Sequence, residues 1–148
     1  INGVKVRFIG DRNRLDKSLI GSMNDLEVLT NKNDNLHLTI ALNYGGRDEI
    51  IRATKKISEK IKSGELELDD ISIELFSNNL DTFDLPDPDL VIRTSGEKRT
   101  SNFLPWQCAY SEYVFEESNW PDFNKKIYEE ILKEFKSRER RYGAVLGQ

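Results

Sequence analysis

Short apolar segments at strand spacing alternate along this chain with longer segments whose apolar residues recur at helical spacing. Few folds accommodate that alternation. Val4, Val6 and Phe8 stand against Lys5 and Arg7, the pattern of a partly exposed strand. Leu15, Leu19, Met23 and Leu26 then recur at helical spacing and predict an amphipathic helix from about 16 to 30. After a polar turn at 31–35, residues 36–42 are apolar and β-branched and read as a central strand buried on both faces. Ile50, Thr54, Ile57 and Ile61 line the next helix, with Asp48 as its cap and Gly64 as its stop. Asp70 is expected to cap a short helix through Leu80, and Leu85-Pro86-Asp87-Pro88 forms a rigid entry into a strand at 90–92. A strand at 113–115, with Glu112 at its head, precedes a last helix capped by Asn124 and striped by Ile127, Ile131, Leu132 and Phe135. Its end, 136–141, is basic, which suits the negative end of a helix dipole. The expected architecture is one α/β domain with a mainly parallel central sheet flanked by helices.

Composition narrows the function. The 148 residues suffice for one domain with a core, and the balance of 37% apolar and 32% charged residues suits a folded globular chain. A net charge of −4 with no basic stripe argues against nucleic acid as a partner. Cys108 is the single cysteine, so no intramolecular disulfide can form. His37 is the single histidine and sits in a strand pattern, where a structural role is expected.

The stretch from Asp89 to Phe123 concentrates the chemistry. The strand at 90–92 runs into a loop bearing Arg93, Lys98 and Arg99, opposed only by Glu97. Ser101 is then a good N-cap for a helix over 102–110, in which Pro105 fits only near the start. Two guanidinium groups and a hydroxyl at a helix N-terminus, beyond the C-terminal end of a strand, would form an anion pocket. Arginine's planar fork favours phosphate or diphosphate. An ordinary solvated loop, its arginines paired with Asp84, Asp87 or Asp89, is the competing reading. The Asn43-Tyr44-Gly45-Gly46-Arg47 string matches neither common nucleotide-binding glycine loop and by itself reads as a turn.

The string R-T-S-G-E-x-R-x-S-N-F from Arg93, then W-Q-x-A-Y-S-E, then W-P-D-F, closely resembles the cis-prenyltransferases, and bacterial undecaprenyl diphosphate synthases in particular. The N-Y-G-G-R string resembles a motif of the same family. The resemblance implies that Arg93, Arg99, Thr100 and Ser101 hold the diphosphate of isopentenyl diphosphate. It implies that Glu112 is a Mg²⁺ ligand, and that Arg141 and Gly143 belong to a C-terminal Arg-x-Gly motif at a homodimer interface. Trp120 and Asp122 match the W-P-D-F string, where packing is as good an explanation as catalysis. The family's N-terminal strand and its Asp-Gly-Asn-x-Arg-type loop have no match here, so the chain is expected to be the C-terminal portion, 1–148, of a single such domain. Its partners would be isopentenyl diphosphate, an allylic diphosphate and a second copy. Its place would be cytoplasmic, with peripheral membrane contact through a lipid product. Two alternatives stand beside this: a non-catalytic partner subunit of a prenyltransferase, or an unrelated phosphate-binding α/β module.

Overall fold

A computed structural model describes residues 3–138. Arg141 and Gly143 lie outside the described residues. The chain divides into two compact units, Ile1–Leu85 and Pro86–Gln148, each built on a parallel pair of strands.

In the first unit, β1 (Val4–Ile9) leads through α1 (Lys17–Thr30) to β2 (Leu36–Ala41). The strands pair in parallel, Val4 opposite Leu36 through Ile9 opposite Ala41. Asp16 caps α1 by accepting from the Ser18 N–H at 2.8 Å. The end of α1 then covers the outer edge of β1. Thr30 Oγ1 accepts from the Val6 N–H at 3.0 Å, and Glu27 Oε1 accepts from the Phe8 N–H at 2.8 Å. These side chains supply the acceptors that another strand would have provided. Val6, Ile9, Met23, Ala53 and Ile57 are buried in this unit.

The expectation that β2 is buried on both faces fails. Leu36, Leu38 and Ile40 are exposed, because among the described residues β2 has β1 as its one ladder neighbour. Two cap assignments also move. α2 (Gly46–Lys62) begins after Gly45, with Asp48 in its first turn, and α3 (Ile73–Ser77) is capped by Ser72, whose Oγ accepts from the Leu75 N–H at 3.1 Å. Asp70 instead closes a short 3₁₀ turn, where its side chain accepts from the Glu67 N–H. Gly64, at φ +77°, ends α2 as expected.

Asp81 ties the loops of this unit together. Arg52 on α2 grips its carboxylate with two bonds of 2.7 Å, and the Gly10 N–H donates to it at 3.1 Å. The Asp81 N–H donates in turn to Glu49, a fully buried carboxylate that also accepts from the Tyr44 hydroxyl at 2.6 Å. Gly10 has no alternative here: it sits at φ +115°, and a Cβ would lie 2.2 Å from the Leu42 carbonyl oxygen. The turns leaving β1 and β2 are thus held to α2 by charge-assisted hydrogen bonds.

In the second unit, β3 (Leu90–Arg93) pairs in parallel with β4 (Glu112–Phe115), Leu90 opposite Glu112 and Arg93 opposite Phe115. The ladder continues into the loop after β3. The Glu116 N–H donates to the Arg93 carbonyl at 2.7 Å, Ser95 N–H to Ser118 at 2.8 Å, and Gly96 N–H to Glu116 at 2.9 Å. α4 (Lys125–Ser137) is capped by Asn124, as its sequence predicts, and buries Ile131.

Burial pushes the Asp81 carboxyl up, but the bonds from Arg52 and the Gly10 N–H outweigh it and hold the pKa below the ordinary value. A depressed folded-state pKa contributes stability that is complete above about pH 4 and fades as pH falls through the folded value. Asp81→Asn should therefore cost about 3 kcal/mol at pH 7, the lower end of the scale for breaking a buried pair. It should also flatten the acid limb of stability against pH. Chemical denaturation of both proteins between pH 7 and pH 3 checks this; parallel curves would refute it.

Candidate diphosphate site

The helix expected over 102–110 does not form. Those residues run through successive turns, and Ser101, Asn102 and Leu104 adopt φ of +50°, +64° and +46°. Leu104 precedes Pro105, whose ring disfavours the helical conformation at the residue before it. A helical-type bond, Cys108 N–H to the Leu104 carbonyl at 2.9 Å, follows the proline. Ser101 is therefore not an N-cap, and among the described residues no helix begins after it in this stretch.

Three of the four expected residues nevertheless meet without that helix. Arg93, at the end of β3, and Arg99, from the loop, line one small cavity of about 90 Å³ together with Thr100. Its walls are Val91, Ile92, Phe103, Tyr113 and Phe115. Tyr113 and Phe115 stack with ring centroids 6.1 Å apart. Burial, and then the neighbouring Cys108, push the Tyr113 phenol above its ordinary pKa, so it remains a neutral wall. Among the described residues the Arg93 side chain makes no hydrogen bond or ion pair, whereas Arg99 is held by Glu97. Ser101 is exposed and outside the lining. The cavity thus offers two guanidinium groups and a hydroxyl over an apolar floor, which suits an anionic head carrying a short apolar tail.

Glu112 lies elsewhere. It opposes Leu90, three rungs from Arg93, roughly 10 Å along the strand at the usual rise per residue. Alternation places it with Val114 on one face of the ladder, while Arg93, Tyr113 and Phe115 occupy the other. Its Oε2 accepts from Arg138 Nη1 at 2.9 Å. Arg138 also donates to the Tyr113 carbonyl at 3.2 Å and to Glu134 Oε1 at 2.5 Å. Glu134, and then Glu112, raise the Arg138 pKa. Among the described residues no group of three His, Cys, Asp or Glu side chains could hold a metal. Glu112 therefore does not meet Arg93 and Arg99 at one site, as the resemblance had implied, and with a guanidinium at its carboxylate these surroundings do not fit Mg²⁺.

Sequence reasoning passed over Arg138, which looked like one charge in a basic helix end. Its i,i+4 spacing from Glu134 was legible, but its contact with Glu112, 26 residues away, was not. His37 sits beside Asp34 at 3.1 Å on the surface and belongs to no cluster. Asn43–Gly45 lead into α2 as a turn, as expected, while Gly46 and Arg47 already belong to its first turn.

The model of the family described as "Putative undecaprenyl diphosphate synthase" matches residues 1–143. The isoprenyl transferase of Brucella abortus biovar 1 (strain 9-941) is 49% identical over 144 residues, 97% of this chain and 57% of that protein. The ditrans,polycis-undecaprenyl-diphosphate synthase ((2E,6E)-farnesyl-diphosphate specific) of Coxiella burnetii (strain RSA 493 / Nine Mile phase I) is 46% identical over 142 residues, 96% of this chain and 60% of that protein. Among solved structures, lavandulyl diphosphate synthase from Lavandula x intermedia in complex with dimethylallyl diphosphate superimposes with a TM-score of 0.92 at 36% identity, covering 95% of this chain and 61% of that one. A probable undecaprenyl diphosphate synthase from Campylobacter jejuni gives 0.83 at 40% identity, covering 97% and 64%. The chain spans about three fifths of the length of these relatives. With a family match along nearly its whole length and with the arginines of its R-T-S-G-E-x-R string meeting in one cavity, the chain belongs to the undecaprenyl diphosphate synthase family of cis-prenyltransferases.

Proposed function

We propose that this chain is the C-terminal portion of a cis-prenyltransferase domain and carries its isopentenyl diphosphate site. The observation behind this reading is the convergence of Arg93, Arg99 and Thr100 on one cavity floored by Tyr113 and Phe115. The guanidinium groups grip the diphosphate with charge-assisted bonds, and the aromatic floor receives the five-carbon unit. Ser101 joins them if its loop rearranges around the ligand. The allylic primer loses its diphosphate by C–O cleavage, and the double bond of isopentenyl diphosphate attacks the allylic carbon. Loss of a proton from the adduct leaves a new cis double bond, and repetition yields a polyprenyl diphosphate of the undecaprenyl type. The resemblance would give Mg²⁺ the task of offsetting the diphosphate charge; Glu112, bonded to Arg138 on the other strand face, does not stand beside this chain's cavity. This chain's own residues hold and orient one of two mutually repelling anions, and that orientation is their contribution to the rate.

The partners on this reading are isopentenyl diphosphate, an allylic diphosphate and a second copy of the chain, with Arg141 and Gly143 at the homodimer interface. The protein works in the cytoplasm, at the membrane surface where its lipid product partitions.

Arg93→Ala in the full-length protein should weaken isopentenyl diphosphate binding by about 1.5–3 kcal/mol, the range for a hydrogen bond to a charged group. Steady-state kinetics should register it as a raised KM for that substrate, and an unchanged KM would count against the site. Glu97→Gln acts in the opposite direction. It releases Arg99 from an exposed pair worth at most ~1 kcal/mol, so inorganic diphosphate should bind up to about fivefold more tightly by calorimetry. Equal or weaker binding would remove Arg99 from the site. The 148-residue chain by itself should form no prenyl product, since the family's aspartate-bearing loop has no match in it. Incorporation of labelled isopentenyl diphosphate by this chain alone would overturn that.

A further inference from the structure

We propose that Phe103 is a specificity-determining residue: with Tyr113 and Phe115 it limits the tail carried by a bound diphosphate to about five carbons. This rests on the reading of the cavity as an isopentenyl diphosphate site. Isopentenyl diphosphate and an allylic diphosphate present the same head group, so Arg93 and Arg99 cannot tell them apart. Discrimination has to come from the apolar end. The strand register gives that end its length. Arg93 stands opposite Phe115, and Val91, on the same face, stands opposite Tyr113. Those rungs are about 7 Å apart, the reach of a five-carbon unit lying over the two stacked rings. The cavity holds about 90 Å³. A dry cavity of roughly 150 Å³ takes one six-carbon ring, so a branched five-carbon tail fills the space and a longer allylic chain has no room.

Both sides of the cavity are held in place. The Tyr113 phenol lies against the buried Cys108 thiol, which fixes the floor. The Phe103 N–H donates to the Thr100 carbonyl at 3.0 Å. That turn sets the Thr100 hydroxyl and the Phe103 ring on one cavity, and left-handed Asn102 and Leu104 flank the ring's own residue. At 43% exposed, Phe103 forms the open rim rather than the floor. Truncating it therefore enlarges the cavity without removing a buried core residue.

The test uses the full-length protein at a saturating allylic diphosphate. It compares kcat/KM for isopentenyl diphosphate with that for homologues whose methyl branch is replaced by ethyl or butyl. These keep the head and the reacting double bond and change only the bulk of the tail. The unaltered protein should disfavour the ethyl homologue about tenfold, and the butyl homologue more strongly. Phe103→Ala should bring the ethyl homologue to within about twofold of isopentenyl diphosphate. Inhibition by inorganic diphosphate, which has no tail, should stay unchanged. A purely structural Phe103 would lower kcat/KM for every tail alike and leave the ratios as they were. That outcome, with Arg93→Ala still raising KM, overturns this inference and spares the diphosphate reading. An unaltered KM for every tail in Arg93→Ala overturns the diphosphate reading, and the size limit with it. Should Phe103→Ala fail to fold, the unaltered protein still decides: equal kcat/KM for isopentenyl diphosphate and the butyl homologue refutes the proposal.

Discussion

The parallel register of β3 on β4 sets what this chain can do. It puts Arg93 beside Phe115 and Glu112 beside Leu90. Because side chains alternate across a strand, it also sends the arginine and the carboxylate to opposite faces. The Arg93 face gains the aromatic floor and the loop bearing Arg99 and Thr100. The Glu112 face holds the buried Val114 and the contact with Arg138 at the end of α4. A slip of one residue would exchange these faces and separate Arg93 from its floor. The strands are only four residues each, so their continuation through Ser95 and Gly96 onto residues 116–118 helps to fix that register.

The charges of the chain fall into two groups with different physics. Asp81 and Glu49 are largely buried, and each has several donors. Losing one partner there leaves another polar group without water, which is why such contacts hold a structure. The Arg99–Glu97 and Glu112–Arg138 pairs are partly open to solvent. Each contributes little net stability.

The local pattern of this chain was legible where local chemistry decides structure. Asp16 and Asn124 cap their helices because a short side-chain oxygen at the right offset finds a free N–H. The expected helix at 102–110 failed for an equally local reason that the apolar pattern hid: Pro105 constrains Leu104. Exposure of β2 was not legible, since an apolar strand carries no record of how many neighbours it has. Asp81 was not legible either. It is one of four aspartates between 81 and 89, and only folding sets it between Arg52 and the Gly10 N–H.

By itself the sequence determined most element types, the parallel α/β class and the family, and it singled out Arg93 and Arg99, which line one cavity. These follow from periodicity, caps and a long run of specific residues. Tertiary structure alone decided that the two arginines meet over Tyr113 and Phe115 without the expected helix, that Ser101 stands outside, and that Glu112 faces Arg138. Those outcomes depend on strand register and on contacts between residues distant in sequence, which one-dimensional spacing does not encode.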